Sequence, residues 1–225
     1  MIRAVIFDLD GCLVDSEPMA LEVLGEEMAA EGAPTSAEEL RKRFLGVSIQ
    51  SVVDHITRFT RRAVLPDFPR RFEDRLLARY DTELRPIPGA TALLDSLQAQ
   101  GIGTAIATGG SLRRLEATLR VSGLERYFTG RAFSADQVRQ GKPAPDLFLF
   151  AARNLGIDPS RCAVMEDSPH GIAGARAAGM RAVGFVGGSH LSGMRDDHAA
   201  RLRKAGAAEV LKDLTGMRDA LLSGC

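Results

Sequence analysis

Short apolar runs, each followed at once by acids, glycines or a threonine, constrain this chain more than any other feature. Ala4-Val-Ile-Phe7 leads into Asp8-Leu9-Asp10-Gly11, Gly103-Thr-Ala-Ile-Ala107 into Thr108-Gly109-Gly110, and Arg161-Cys-Ala-Val-Met165 into Glu166-Asp167-Ser168. A fourth run, Ala182-Val-Gly-Phe-Val186, ends in Gly187-Gly188. A continuous apolar run such as Ala4–Phe7, without alternation, belongs to a strand buried on both faces, and the other three repeat the pattern. Helical periods separate them, over residues 89–100, 112–122, 146–155 and 171–178, and Gly101, Gly123, Gly156 and Gly179 stand where helices stop. Strands alternating with helices predict parallel βαβ units, hence an α/β fold with a Rossmann-like parallel sheet. In such open sheets a ligand binds beyond the carboxyl ends of the strands.

Residues 16–86 break this alternation. They hold helix-like segments over 19–30, 37–44, 50–62 and 70–84 and no convincing strand, and they end at Pro86-Ile87-Pro88-Gly89, where two prolines stiffen the return. The expected organisation is a core of residues 1–15 and 87–225 carrying an all-helical insertion over 16–86.

Composition narrows the partners. The 225 residues, 45% of them hydrophobic, suffice for a packed core with a smaller insertion. The 29 basic and 29 acidic residues cancel, so no global field draws the chain to nucleic acid or a membrane surface, and a small molecule is the expected partner. Cys12, Cys162 and Cys225 are odd in number and lack CxxC or Cys/His spacing, which argues against a disulfide framework or a zinc site. The opening residues leave no room for a signal segment and no stretch approaches 18 apolar residues, so a cytoplasmic protein is expected. No heptad marks an interface, and a monomer is expected.

Asp8 and Asp10, at i and i+2 on a strand, point to one face, and Gly11 lets a ligand approach the backbone. The pair suits a nucleophile and a proton donor, although alone it also reads as a turn cap. Glu166 and Asp167 end another buried strand and should reach the same rim. Converging carboxylates repel, so a bound dication is the economical explanation, and an all-oxygen site with open positions suits Mg²⁺. Lys142, in a loop before Pro143, and Thr108 with the Gly109 and Gly110 amides supply the cation and donors that a phosphoryl group requires. Together these residues describe phosphoryl transfer on a small phosphomonoester.

The strings Asp8-Leu9-Asp10-Gly11 with Asp15-Ser16-Glu17, Thr108-Gly109-Gly110, Lys142-Pro143-Ala144-Pro145-Asp146, and Glu166-Asp167-Ser168 with Gly171, Ala175 and Gly179 resemble the haloacid dehalogenase-like superfamily in its phosphatase and phosphomutase branch. The resemblance implies that Asp8 attacks phosphorus, that Asp10 protonates the leaving oxygen and then activates water, and that Thr108, Gly109 and Lys142 hold the phosphoryl oxygens. It further implies Mg²⁺ on Asp8, the Asp10 carbonyl and Asp167, with Glu166 in the first or second shell of the metal. The inserted helices resemble this family's cap domain, and Gly46-Val47-Ser48 resembles its substrate-facing loop, with Arg43 nearby as a further substrate candidate.

The implied activity is Mg²⁺-dependent hydrolysis of a sugar phosphate, sugar-acid phosphate or phosphoglycolate through an aspartyl-phosphate. Dehalogenase relatives have no aspartate at the place of Asp10, which argues for phosphate chemistry. A sugar phosphomutase is the alternative; such mutases carry a histidine shortly after the first motif and an arginine after Gly-Val-Ser, where this chain has Ala20 and Ile49. A binding module without catalysis need not keep both aspartates, the lysine and the acidic pair. The many arginines of the insertion, including Arg43, Arg62, Arg71, Arg75 and Arg79, suggest either a second anionic group on the substrate or, more simply, solvated helix faces. Cys12 reads as a small buried filler, His170 as a capping or solvent residue, and His55, His190 and His198 as structural or exposed.

Overall fold

The computed structural model describes residues 1–223, so Cys225 lies outside the described residues. By density of contacts the chain divides into Met1–Asp15 together with the chain from Arg85 onward, and Ser16–Leu84.

The first unit is built on a parallel sheet of β1 (Ala4–Phe7), β2 (Gly103–Thr108), β3 (Ala132–Ser134), β4 (Cys162–Glu166), β5 (Arg181–Phe185) and β6 (Glu209–Leu211), in the order β3-β2-β1-β4-β5-β6. Every residue of β1 and β4 is buried, as expected of strands covered on both faces. Each fully buried Ile, Val or Phe side chain contributes about 1.5–3 kcal/mol. The first four runs fold as expected to within a residue at each end. β3 and β6 were not anticipated, being three-residue edge strands too short to show a period.

The order reverses at β1, with β2 on one side and β4 on the other, and a crevice opens at such a switch point beyond the strand ends. Register then decides which side chains meet there. Phe7 lies beside Ile106 of β2 and Met165 of β4, so Asp8 comes level with Glu166, and Thr108 stands one residue further along. Val14 bridges to Pro86, and Asp15 N and Ile87 N donate to Arg85 O and Leu13 O, which ties the exit from the first unit to the return.

The second unit is helical throughout, with α1 (Glu17–Ala30), α2 (Ala37–Phe44), α3 (Ile49–Thr60) and α4 (Phe68–Glu83). Its core gathers Leu24, Met28, Leu40, Ile56 and Phe68. Glu27 is buried on α1, and its carboxylate receives Arg71 Nε at 3.1 Å and Arg75 Nη1 at 2.8 Å from α4. Arg71 also reaches Glu31, Arg75 reaches Glu26, and Arg79 reaches Glu22. These arginines are neither simply solvated nor held out to a substrate. They neutralise glutamates of the neighbouring helix, and a carboxylate as buried as Glu27 requires such partners.

In the first unit, α5 (Ala90–Ala99) precedes β2, α6 (Leu112–Ser122) and α7 (Glu125–Phe128) follow it, and α8 (Asp146–Leu155) precedes β4. Further along are α9 (Pro169–Ala177), α10 (Arg195–Ala205) and α11 (Met217–Leu222). No helix among the described residues is long and apolar enough to cross a membrane.

Candidate active site

Asp8 is the first residue beyond β1, and its amide donates to Met165 O at 3.0 Å, which fixes the backbone level with the end of β4. Its side chain is almost fully buried. Lys142, delivered by the loop before α8, places Nζ 2.6 Å from Asp8 Oδ1 and 2.5 Å from Glu166 Oε1. Glu166 presents its other oxygen, Oε2, to Ser168 N at 2.8 Å and Ser168 Oγ at 3.0 Å. Both Glu166 oxygens thus have protein partners, and through them Glu166 holds the lysine and the turn into α9. Gly171 makes this possible, because a Cβ there would overlap the Glu166 carboxylate.

Burial pushes the Asp8 carboxyl well above the ordinary carboxylate range. Lys142 opposes that shift, while Glu166 and Asp167 reinforce it. Burial by itself would make Lys142 give up its proton more readily, but the Asp8 and Glu166 charges outweigh it and hold the ammonium above its usual range. The site carries more negative than positive charge around Asp8.

Thr108 ends β2, buried, and its Oγ1 accepts from Gly110 N at 3.1 Å. Ser134 at the end of β3 donates to Gly110 O at 2.6 Å, so the Thr108-Gly109-Gly110 loop is fixed from two sides. Asp10 lies within the turn after β1, where Gly11, at φ 74°, takes the left-handed conformation. A side chain at Gly11 would also run into Asp167 and His190, so this glycine answers both strain and close approach.

Arg114, which sequence reasoning passed over, joins the cluster together with two buried histidines. Arg114, in the first turn of α6, places Nη2 2.7 Å from Asp10 Oδ1. His190, fully buried after β5, lies with Nε2 3.1 Å from Asp167 Oδ2, and His198 Nε2 of α10 donates to Asp167 O at 2.6 Å. Asp167 thus has one histidine beside its side chain and another bonded to its carbonyl. Asp15 Oδ1 accepts from Ser189 N at 3.2 Å, tying the His190 segment to the turn that bears Asp10. His190 and His198, expected to be structural or exposed, are buried and packed against Asp167. His170 is exposed on α9. Cys12 is buried as expected, and burial pushes its thiol well above the ordinary range, which keeps it protonated and unreactive. The other described cysteine, Cys162, is also buried and free.

Arg43, Gly46, Val47 and Ser48 belong to the helical unit. Arg43 on α2 donates from Nη2 to His55 Nδ1 at 3.2 Å, Gly46 and Val47 join α2 to α3, and Ser48 caps α3 by accepting from Ser51 N.

The assembly joins a buried carboxylate fixed against a lysine, a second carboxylate on a turn, and paired acids at a strand end. Comparison with known proteins places it. A family model described as haloacid dehalogenase-like hydrolase matches residues 2–179. A phosphorylated carbohydrates phosphatase of Thermotoga maritima is 30% identical over 212 residues, spanning 94% of each chain. Hexitol phosphatase B of Escherichia coli is 33% identical over 186 residues, 81% of this chain and 82% of its own. A haloacid dehalogenase family hydrolase of Deinococcus radiodurans, solved with bound phosphate and sodium, superposes with a TM-score of 0.75 at 34% identity, covering 99% of both chains. The chain belongs to the haloacid dehalogenase-like hydrolases.

Proposed function

We propose that this hydrolase cleaves a small phosphorylated carbohydrate with Mg²⁺, through a phosphoryl group carried on Asp8. Its class, phosphoric monoester hydrolase, comes with the family and with the phosphatases among its relatives. The observation that carries the finer reading is the Lys142 ammonium fixed 2.6 Å from the buried Asp8 carboxylate. A cation in that place neutralises charge where an anionic phosphoryl group must approach an anionic nucleophile.

The donor set fits the metal. Asp8 and Asp167, with Cys12, bring ligand atoms within 4.8 Å of one another. The carboxylates are hard oxygen donors of the kind Mg²⁺ takes, whereas the protonated thiol is not. Burial chiefly raises Asp8, with the Glu166 and Asp167 charges adding to it, and a cation beside the carboxylate would oppose that shift. Asp8, Asp167 and the Asp10 carbonyl would hold Mg²⁺, which when bound polarises the phosphoryl oxygens and offsets their charge.

Asp8 attacks phosphorus, the bond to the leaving oxygen breaks, and Asp10 transfers its proton to that oxygen to release the alcohol. Water then attacks the phosphoryl group, Asp10 takes the water proton, and the acyl-phosphate bond breaks to return the Asp8 carboxylate and free phosphate. Thr108, the Gly109 amide and Lys142 hold the phosphoryl oxygens through both halves. Substrate choice is assigned to the helical unit as a cap, with Arg43, Gly46, Val47 and Ser48 as candidates. Ala20 and Ile49 offer no cation for a second phosphate, which favours water over a second sugar hydroxyl as acceptor.

Phosphate release from hexose, hexitol and sugar-acid phosphates and phosphoglycolate is expected with Mg²⁺ and is lost with chelator. Silence across these esters in Mg²⁺ would overturn the reading. His190, as the partner of Asp167, sets the orientation of a metal-holding carboxylate. His190→Ala is expected to weaken Mg²⁺ binding roughly 10–100-fold, read as the Mg²⁺ concentration that half-saturates the shift in Tm. An unchanged midpoint would remove that role.

A further inference from the structure

We infer that Arg114 is a positioning residue for the acid–base group: it holds one oxygen of Asp10 so that the carboxyl presents the other to the leaving group. The inference rests on the reading of Asp10 as proton donor. A carboxyl on a turn can rotate about two side-chain bonds, and only a narrow range of orientations is productive for proton transfer. The structure supplies what would fix it. Arg114 Nη2 lies 2.7 Å from Asp10 Oδ1, and both side chains are largely buried, at 15% and 12% exposure. A pair so shielded is held more firmly than a surface pair.

The support behind Arg114 is rigid. Ser111 caps α6, its Oγ accepting from Arg114 N at 3.0 Å, so the guanidinium springs from an anchored first turn. Leu112 N donates to Asp136 Oδ2 at 2.9 Å, and Ser134 Oγ holds Gly110 O at 2.6 Å. Gly110 lies among these groups. A Cβ there would stand 3.4 Å from Arg114 Cδ, 3.5 Å from Thr108 Oγ1 and 3.6 Å from Asp10 Oδ2. One loop thus carries the phosphoryl-binding threonine and fixes the arginine that sets Asp10, so both ends of the scissile bond are referenced to one scaffold.

The test compares kcat/KM for 4-nitrophenyl, phenyl and benzyl phosphate, in order of increasing leaving-group basicity. This constant reports steps up to alcohol release, and only a basic leaving group needs a well-aimed acid. Arg114→Ala is expected to lower kcat/KM on the order of 10–100-fold for benzyl phosphate and less than about threefold for 4-nitrophenyl phosphate. Arg114→Gln retains a donor and follows the same order with smaller losses. Arg114→Lys keeps the charge but gives up the planar fork, and recovers part of the benzyl activity. Asp10→Asn, run alongside, is expected to show the same ranking more steeply. Equal losses on all three esters in Asp10→Asn would overturn Asp10 as the acid. Equal losses, or none, in the Arg114 variants beside a steep Asp10→Asn series would overturn the positioning role alone.

Discussion

Asp8→Asn is expected to lower phosphate release on the order of 10⁴-fold or more while leaving the chelator-treated protein at least as stable as the parent. The first half follows from chemistry: an amide oxygen is a poor nucleophile toward phosphorus. The second follows from burial. The folded state holds the Asp8 carboxyl well above its ordinary range, so folding disfavours its charged form. The sign is that of a raised acid: below the ordinary carboxylate range the group is protonated in both states and costs nothing. As pH climbs from that range through the raised folded value, the unfolded chain gains a charge that the folded one resists, and stability falls. Asparagine removes that penalty and leaves Lys142 paired with Glu166. Urea unfolding in chelator at neutral pH, beside the rate with Mg²⁺, measures both. A variant with parental turnover would remove Asp8 as nucleophile, and one that is less stable would refute the burial argument.

Lys142→Ala reverses this pairing of effects, because it is expected to damage both activity and stability. Without the ammonium, two buried carboxylates face each other across the space it filled. Removing one partner of a buried charged pair costs about 3–5 kcal/mol, read as a lower urea midpoint. Loss of one preorganised charge aimed at the transferring phosphoryl group lowers kcat about 10²–10³-fold. A second change separates the two losses. Adding Glu166→Gln removes one unpaired charge, so the double variant is expected to regain stability without regaining turnover. If the double variant recovered both, the lysine would act on the fold alone.

The contrast between what sequence showed and what it hid follows from distance along the chain. Asp8, Thr108, Lys142 and the Glu166-Asp167 pair announce themselves because each sits at the end of an apolar run or in a loop of distinctive local composition. The runs of β1, β2, β4 and β5 are long enough to carry a pattern, whereas Ala132–Ser134 and Glu209–Leu211 are strands only because a neighbour pairs with them. Arg114 carries no such local mark, and His190, in the Gly187-Gly188-Ser189-His190 segment that closes the fourth run, shows nothing of its partner. Arg114 reaches Asp10 across 104 positions, and His190 meets Asp167 because the segment after β5 folds back over Gly11. Likewise, Arg71 and Arg75 read as loose surface cations until α4 packs on α1 and finds Glu27 buried. Glu166 was legible as a site residue, but its partners were not, since the Lys142 contact depends on the register of strands far apart in sequence.

The placement of β1 at the switch point has a consequence for how the enzyme comes into being. Ala4–Phe7 is synthesised before either strand it will pair with, and Phe7 finds its place only beside Ile106 and Met165. A nascent chain whose Asp8 has left the ribosome still lacks the strand that leads to Glu166 and Asp167. Such non-local pairing is slow to form and cannot be completed piecemeal. The grouping of Asp8 with Glu166 and Asp167 therefore waits on the pairing of β1 with β4, a strand more than 150 residues further along the chain.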